Sequence, residues 1–195
     1  MRAALLVALC TLLAATPDAA RQPALAEATF AGGCFWCLEE AMEKIPGVVS
    51  AISGYTGGSV KNPSYEDVST GGTGHLEAVR VSFDPAKVSY AQLLDAFWHN
   101  IDPGDGGGQF CDRGEQYRSA IFAHDEAQRA QAQKSKEALQ SSGRFKTAIA
   151  TTVVMAGPFY PAETYHQDYY KKNAVQYRFY KFGCGRAQRL SAVWK

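Results

Sequence analysis

Short β-branched stretches alternate with stretches of helical periodicity along most of this chain. That alternation restricts it to an α/β or α+β class. Thr29-Phe30-Ala31 reads as a strand running into Gly32-Gly33. A helix then starts at about Cys34, with Leu38, Ala41, Met42 and Ile45 on one face, and Pro46-Gly47 ends it. Val48 to Ser53 is a second strand. Glu77 to Phe83 alternates like a half-buried one, with Val79, Val81 and Phe83 on the same side. Ser89 caps a helix through Asn100, a strand lies near Arg118–Ala123, and Asp125 to Ser142 reads as an exposed helix. Ala148 to Met155 is β-branched, and Pro161 is placed to open a helix ending near Asn173. Two Gly-rich loops, residues 54–74 and 102–114, are long enough to be functional. A two-layer α/β sandwich, helices over a mixed sheet, fits this order. So does an elaborated ferredoxin-like core.

The first 26 residues stand apart. Arg2 precedes an apolar run from Ala3 to Ala15 that suits a secretory signal and is too short to span a bilayer. Ala24-Leu25-Ala26 is a cleavage site, predicting a mature chain from Glu27; an alternative lies near Ala19 or Ala20. Cys10 leaves with this segment. Residues 27–195 then form one domain, exported and, in a Gram-negative source, periplasmic. No later stretch is apolar enough to cross a membrane. Hydrophobic residues make up 46% and charged residues 20% of the chain, which excludes wholesale disorder. The formal net charge of +1 gives no electrostatic footprint for a nucleic acid.

The strongest chemical signal is Gly32-Gly33-Cys34-Phe35-Trp36-Cys37. Two glycines allow a sharp turn, and Cys34 follows at the helix N-terminus, where free N–H groups favour the reactive thiolate. Read from residues alone, C-x-x-C also fits a structural disulfide, a thioredoxin-type dithiol or, more weakly, a zinc site. For zinc there is no second C-x-x-C, and His75, His99, His124 and His166 have no ligand spacing.

Further along stand Gly54-Tyr55-Thr56-Gly57-Gly58, Asn62-Pro63-Ser64-Tyr65, Gly74-His75-Leu76-Glu77-Ala78-Val79 and Asp112-Arg113-Gly114-Glu115-Gln116-Tyr117-Arg118-Ser119. With Gly33-Cys34-Phe35-Trp36 they occur in the order found in peptide methionine sulfoxide reductases of type A, which act on the S epimer. The chain resembles that family from Thr29 to its C-terminus. The resemblance implies a two-layer sandwich and no metal or organic cofactor. It makes Cys34 the nucleophile, Glu77 the acid, Tyr65 and Tyr117 donors to the sulfoxide oxygen, and Asp112 an orienting residue. Phe35 and Trp36 would hold the methyl group on sulfur.

These roles are chemically coherent. Sulfoxide oxygen leaves poorly unless protonated, so Glu77 needs a raised pKa in a dry pocket. The Cys34 sulfenic acid would condense with a resolving thiol and be recycled by a thioredoxin-like reductant. Candidates for resolution are Cys184 in its Gly-flanked tail, then Cys37, then Cys111. His166, in Tyr165-His166-Gln167-Asp168, reads as packing ahead of pocket rim. The implied protein is monomeric, and its substrates are oxidised proteins or free methionine sulfoxide. The alternatives are a general dithiol–disulfide oxidoreductase using Cys34 and Cys37, and a non-catalytic domain with a Cys34–Cys37 bridge.

Overall fold

A computed structural model describes residues 24–195; apart from its last three residues, the expected secretory segment lies outside them. The elements, in chain order, are β1 (Ala26–Gly32), α1 (Phe35–Glu43), β2 (Val48–Thr56), α2 (Tyr65–Ser69) and β3 (Leu76–Phe83). There follow α3 (Tyr90–Trp98), β4 (Gly108–Gln109), β5 (Asp112–Arg113), β6 (Ser119–Ala123) and α4 (Glu126–Ser141). The chain ends with β7 (Thr152–Met155), β8 (Phe159–Pro161), α5 (Tyr169–Lys172), α6 (Ala174–Gly183) and α7 (Arg186–Val193).

Six strands make one mixed sheet in the order β7-β6-β1-β3-β2-β8, with β6 and β7 parallel and every other neighbouring pair antiparallel. Its inner part, β1-α1-β2-β3-α3-β6 with strands ordered β6-β1-β3-β2, is a ferredoxin-like core widened by one strand at each edge. The class is therefore α+β.

Helices α1 and α3 bury their apolar stripes against one face of the sheet. Phe30 of β1 stacks on Phe97 of α3 at 5.0 Å, and Leu38, Met42, Leu93 and Ile121 close around them, all fully buried. Helices α2 and α3 start from Ser caps: Ser64 and Ser89 each form a reciprocal capping box, with Asp67 and Gln92.

Two expectations need correction. Residues 54–74 are not all loop, because β2 runs on through Thr56 and α2 occupies Tyr65–Ser69. The helix expected from Pro161 to Asn173 is absent. Pro161 instead ends the edge strand β8 opposite Gly54, and only Tyr169–Lys172 is helical. The reason lies in side chains that tie residues 162–168, mostly a run of turns, to β2. The Gln167 amide accepts from the Ser53 N–H at 3.0 Å and donates to the Ser53 carbonyl at 2.9 Å, as a strand residue would. The aromatic, basic tail forms α6 and α7, which fold back over the start of α1 and the 102–114 loop.

Candidate active site

β1 delivers the chain to Gly32-Gly33, and α1 begins two residues later. Gly33 sits at φ +78°, and a Cβ there would lie 2.6 Å from the Gln109 Cβ, so no larger residue fits this turn. Cys34 is the N-cap of α1 and makes no side-chain cap bond. Two carboxyl groups occupy the orphan N–H groups of the helix start instead. The Phe35 amide donates to Glu77 Oε2 at 2.9 Å, and the Cys34 amide donates to the Asp112 carboxylate. Glu77 comes from β3, directly beside β1 in the sheet. Asp112 comes from the β4–β5 hairpin.

Glu77 is buried, and burial pushes its pKa up to about 8; the Phe35 N–H partly opposes this, and the Asp112 and Cys37 charges add to it. At neutral pH it is a proton-bearing acid. Tyr65 and Tyr117 hydrogen-bond one another through their hydroxyls. Burial, then the Glu77 charge, holds both phenols above their ordinary range, so they remain donors. Burial also raises Asp112, against the lowering effect of the Tyr180 hydroxyl and the Arg186 charge.

The sulfurs depart from expectation. Cys34 is 5% exposed and Cys37 3% exposed, and their side chains hydrogen-bond. The helix N-terminus does not make Cys34 the ionised partner. Burial, then Cys37 and the Glu77 charge, raises its thiol well above the ordinary range. Cys37 instead is lowered to about 6, chiefly because it accepts the Cys34 hydrogen bond, with Arg186, Tyr177 and Lys181 assisting against its burial. The dithiol therefore gives up one proton near pH 6, and the remaining proton bridges the two sulfurs.

Phe35 is buried against Tyr55 and His166. One face of Trp36 is covered by Tyr169, stacked at 3.8 Å and 9°, and its indole N–H donates to His166 Nδ1 at 3.1 Å. His166 is buried and kept neutral by that burial. It also lies against Tyr65 at 4.5 Å, so it joins the two aromatic walls of the site. Glu163 sets the height of Tyr65 by accepting its backbone N–H and the Tyr55 hydroxyl, each at 2.8 Å.

Tail residues complete the site. Tyr177 and Tyr180, one turn apart on α6, lie over Cys37 and Cys34. The Tyr180 hydroxyl donates to Asp112 Oδ2 at 2.6 Å, and the Tyr177 hydroxyl donates to Glu40. Sequence reasoning missed both tyrosines. Their i, i+3 spacing in an aromatic tail was the available sign.

Cys184 does not stand free beside Cys34. It follows α6 and forms a disulfide with Cys111, whereas Cys34 and Cys37 are free thiols. Cys34, Cys37, Glu77, Asp112, Tyr65 and Tyr117 are thus brought together. Cys111 and Cys184 form a second sulfur pair at the far side of Asp112, with the Cys184 sulfur 3.9 Å from Asp112 Oδ2.

A buried thiol pair, a neutral carboxylic acid and two phenolic donors brought together at one helix start define a thiol-based reductase site. Residues 26–195 match the profile of the peptide methionine sulfoxide reductase family. The chain is 53% identical to a peptide methionine sulfoxide reductase MsrA of Bacillus licheniformis over 86% of its own length and 92% of that protein's. It is 51% identical to the MsrA of Listeria innocua, over 88% and 97%. Among solved structures, reduced Mxr1 of Saccharomyces cerevisiae superposes with a TM-score of 0.72 at 34% identity, covering 77% of this chain and 86% of the other. The methionine sulfoxide reductase A of Corynebacterium diphtheriae gives 0.69 at 32% identity, covering 79% and 77%. Mxr1 in complex with Trx2 gives 0.52 at 26% identity, covering 74% and 84%. The chain belongs to the peptide methionine sulfoxide reductase family.

Proposed function

We propose that the protein reduces the S epimer of methionine sulfoxide, in oxidised proteins and as the free amino acid. The observation that carries this reading is the convergence of Cys34, protonated Glu77 and the Tyr65–Tyr117 pair in one buried site. The bridging proton passes from Cys34 to Cys37, and the Cys34 thiolate attacks the sulfoxide sulfur. Tyr65 and Tyr117 donate to the oxygen as charge builds there, and Glu77 supplies its proton. Methionine leaves, and Cys34 is left as a sulfenic acid. The Cys37 thiol, already hydrogen-bonded to Cys34, condenses with it and water departs, forming a Cys34–Cys37 disulfide. Cys184 and Cys111 then take over that disulfide by two exchanges. Cys184 attacks Cys34 and releases Cys37, and Cys111 attacks Cys184 and releases Cys34. The state with Cys111–Cys184 bonded and Cys34 and Cys37 free fits the end of that exchange. A thioredoxin-like protein restores the outer thiols, as the complex of the relative Mxr1 with Trx2 suggests.

Turnover of each epimer with dithiothreitol tests this. The S epimer is expected to be consumed and the R epimer not; R-only turnover, or none, overturns the reading. A general dithiol oxidoreductase would instead keep its activity in Glu77→Gln. We further propose export. The apolar run after Arg2 and the Ala24-Leu25-Ala26 site support cleavage before Glu27, which leaves the Thr29 and Phe30 rungs of β1 in place. The N-terminal sequence of the secreted protein is expected to start at Glu27, and an uncleaved chain would count against export.

A further inference from the structure

The two faces of α6 have different tasks. Its inner face carries Tyr177 and Tyr180 over the dithiol. Its outer face carries Val175, Phe179 and Phe182 at i, i+4 and i+7, a single apolar ridge. Phe179 is 76% exposed and Phe182 78%, more than any other large apolar side chain among the described residues. With Val175 and Arg178 they line one shallow groove. A ridge of this kind on a surface marks an interaction site. The helix that bears it ends at Cys184, two residues after Phe182, where the disulfide to exposed Cys111 begins.

We propose that the Val175–Phe179–Phe182 ridge is the docking surface for the protein dithiol that reduces Cys111–Cys184. This rests on the reductase reading above. The occupant follows from access: Cys34 and Cys37 are buried beneath Tyr177 and Tyr180, so a folded reductant cannot reach them, whereas Cys111 lies at the surface. A protein reductant must seat itself against whatever flanks that disulfide, and the flank is this ridge.

The chemistry sets the direction of attack. A thiolate of the partner attacks the exposed Cys111 sulfur, and the Cys111–Cys184 bond breaks. Cys184 leaves as a thiolate beside the Cys111 N–H, which points at its sulfur from 3.2 Å, and then takes up a proton. The partner's second thiol attacks the mixed disulfide, gives up its proton and releases Cys111. Two electrons and two protons move from the partner dithiol to Cys111 and Cys184.

The test compares two reductants on the full chain carrying Phe179→Gln and Phe182→Gln. With dithiothreitol, kcat for methionine S-sulfoxide is expected to stay at the wild-type value, because neither residue touches the dithiol. With a purified thioredoxin, KM for thioredoxin is expected to rise about tenfold or more with little change in kcat. An unchanged thioredoxin KM overturns the proposal. So does a raised KM only for an oxidised protein substrate, which would give the ridge to substrate. Loss of a wild-type dimer in sedimentation at unchanged thioredoxin KM would give it to a second copy. If the double variant fails to fold, Val175→Lys with the same two assays decides. Wild-type protein without dithiothreitol activity would refute the reductase reading and this proposal with it, whereas an unchanged thioredoxin KM in an active enzyme refutes this proposal alone.

Discussion

The four described cysteines form two pairs, which differ in what governs thiol chemistry. Cys34 and Cys37 are buried beneath two tyrosines and share a proton. Cys111 is exposed and Cys184 half-buried, at the end of a helix with an apolar outer face. Dryness suits the inner pair, because a neutral Glu77 and undiluted hydrogen bonds to a sulfoxide oxygen need a site without water. The same dryness keeps out a protein reductant. The difference teaches that protonating the oxygen and recharging the thiols have opposite solvent requirements, which separate pairs can satisfy and one pair cannot.

The division is broken most sharply at the acid. Cys34→Ser is expected to abolish turnover with every reductant. Glu77→Gln, which keeps the size and loses the proton, should lower single-turnover methionine formation by about 10²–10⁴-fold. A Glu77→Gln enzyme within a few-fold of wild type would show that the dry inner site is not where the oxygen is protonated. Next in size, Cys111→Ser with Cys184→Ser should leave the first methionine burst intact. It should slow thioredoxin-driven steady turnover about tenfold or more, because the reductant then has only the covered pair to attack. Rapid-quench measurement of burst and steady phases separates the two, and equal losses in both phases would contradict a division of labour.

How much of this was legible in the sequence depends on whether a residue's partner lay near it in the chain. Glu77 and Val79 could be placed on a strand from alternation, and the Gly32-Gly33 turn from glycine chemistry, because both are local. The Cys34 thiol could not be read correctly from the helix N-terminus alone. Burial and the neighbouring Cys37 and Glu77 outweigh the helix end, and burial depends on the distant α6. The Cys111–Cys184 bond spans 73 residues and follows from how the tail folds back, so no spacing foretold it. Pro161 misled for the same reason. Its helix-start chemistry is sound, but pairing with Gly54 and the bridging Gln167 override it.

Acidity sharpens the comparison further. The inner pair must lose one proton and Glu77 must keep its own. The rate with dithiothreitol should therefore rise as pH increases through about 6, where Cys37 titrates, and fall as it increases through about 8, where Glu77 ionises. Cys37→Ser should move the rising limb to higher pH, since Cys34 then faces its burial without a thiolate partner. A pH–rate profile of single turnover reads both limbs. A rising limb that stays near 6 in Cys37→Ser would mean that Cys34 titrates there by itself.

The smallest effect concerns the cover between the pairs. Tyr180 touches both worlds, since its hydroxyl donates to Asp112 and its ring lies over Cys34, on the helix that Cys184 anchors. Tyr180→Phe keeps the ring and removes one charge-assisted hydrogen bond, worth about 1.5–3 kcal/mol if it is fully made. With the Cys111–Cys184 bond intact, α6 stays in place, and alkylation of Cys34 should rise only slightly. With that bond selectively reduced, α6 keeps its polar contacts to Glu40 but loses its covalent anchor, so alkylation should rise several-fold in Tyr180→Phe and less in wild type. Mass-spectrometric rates of alkylation at Cys34, in both redox states of both proteins, give the four numbers required. Equal rates in all four would mean that α6 does not control access, and the contrast between a sheltered and an open pair would then rest on exposure of the sulfurs alone.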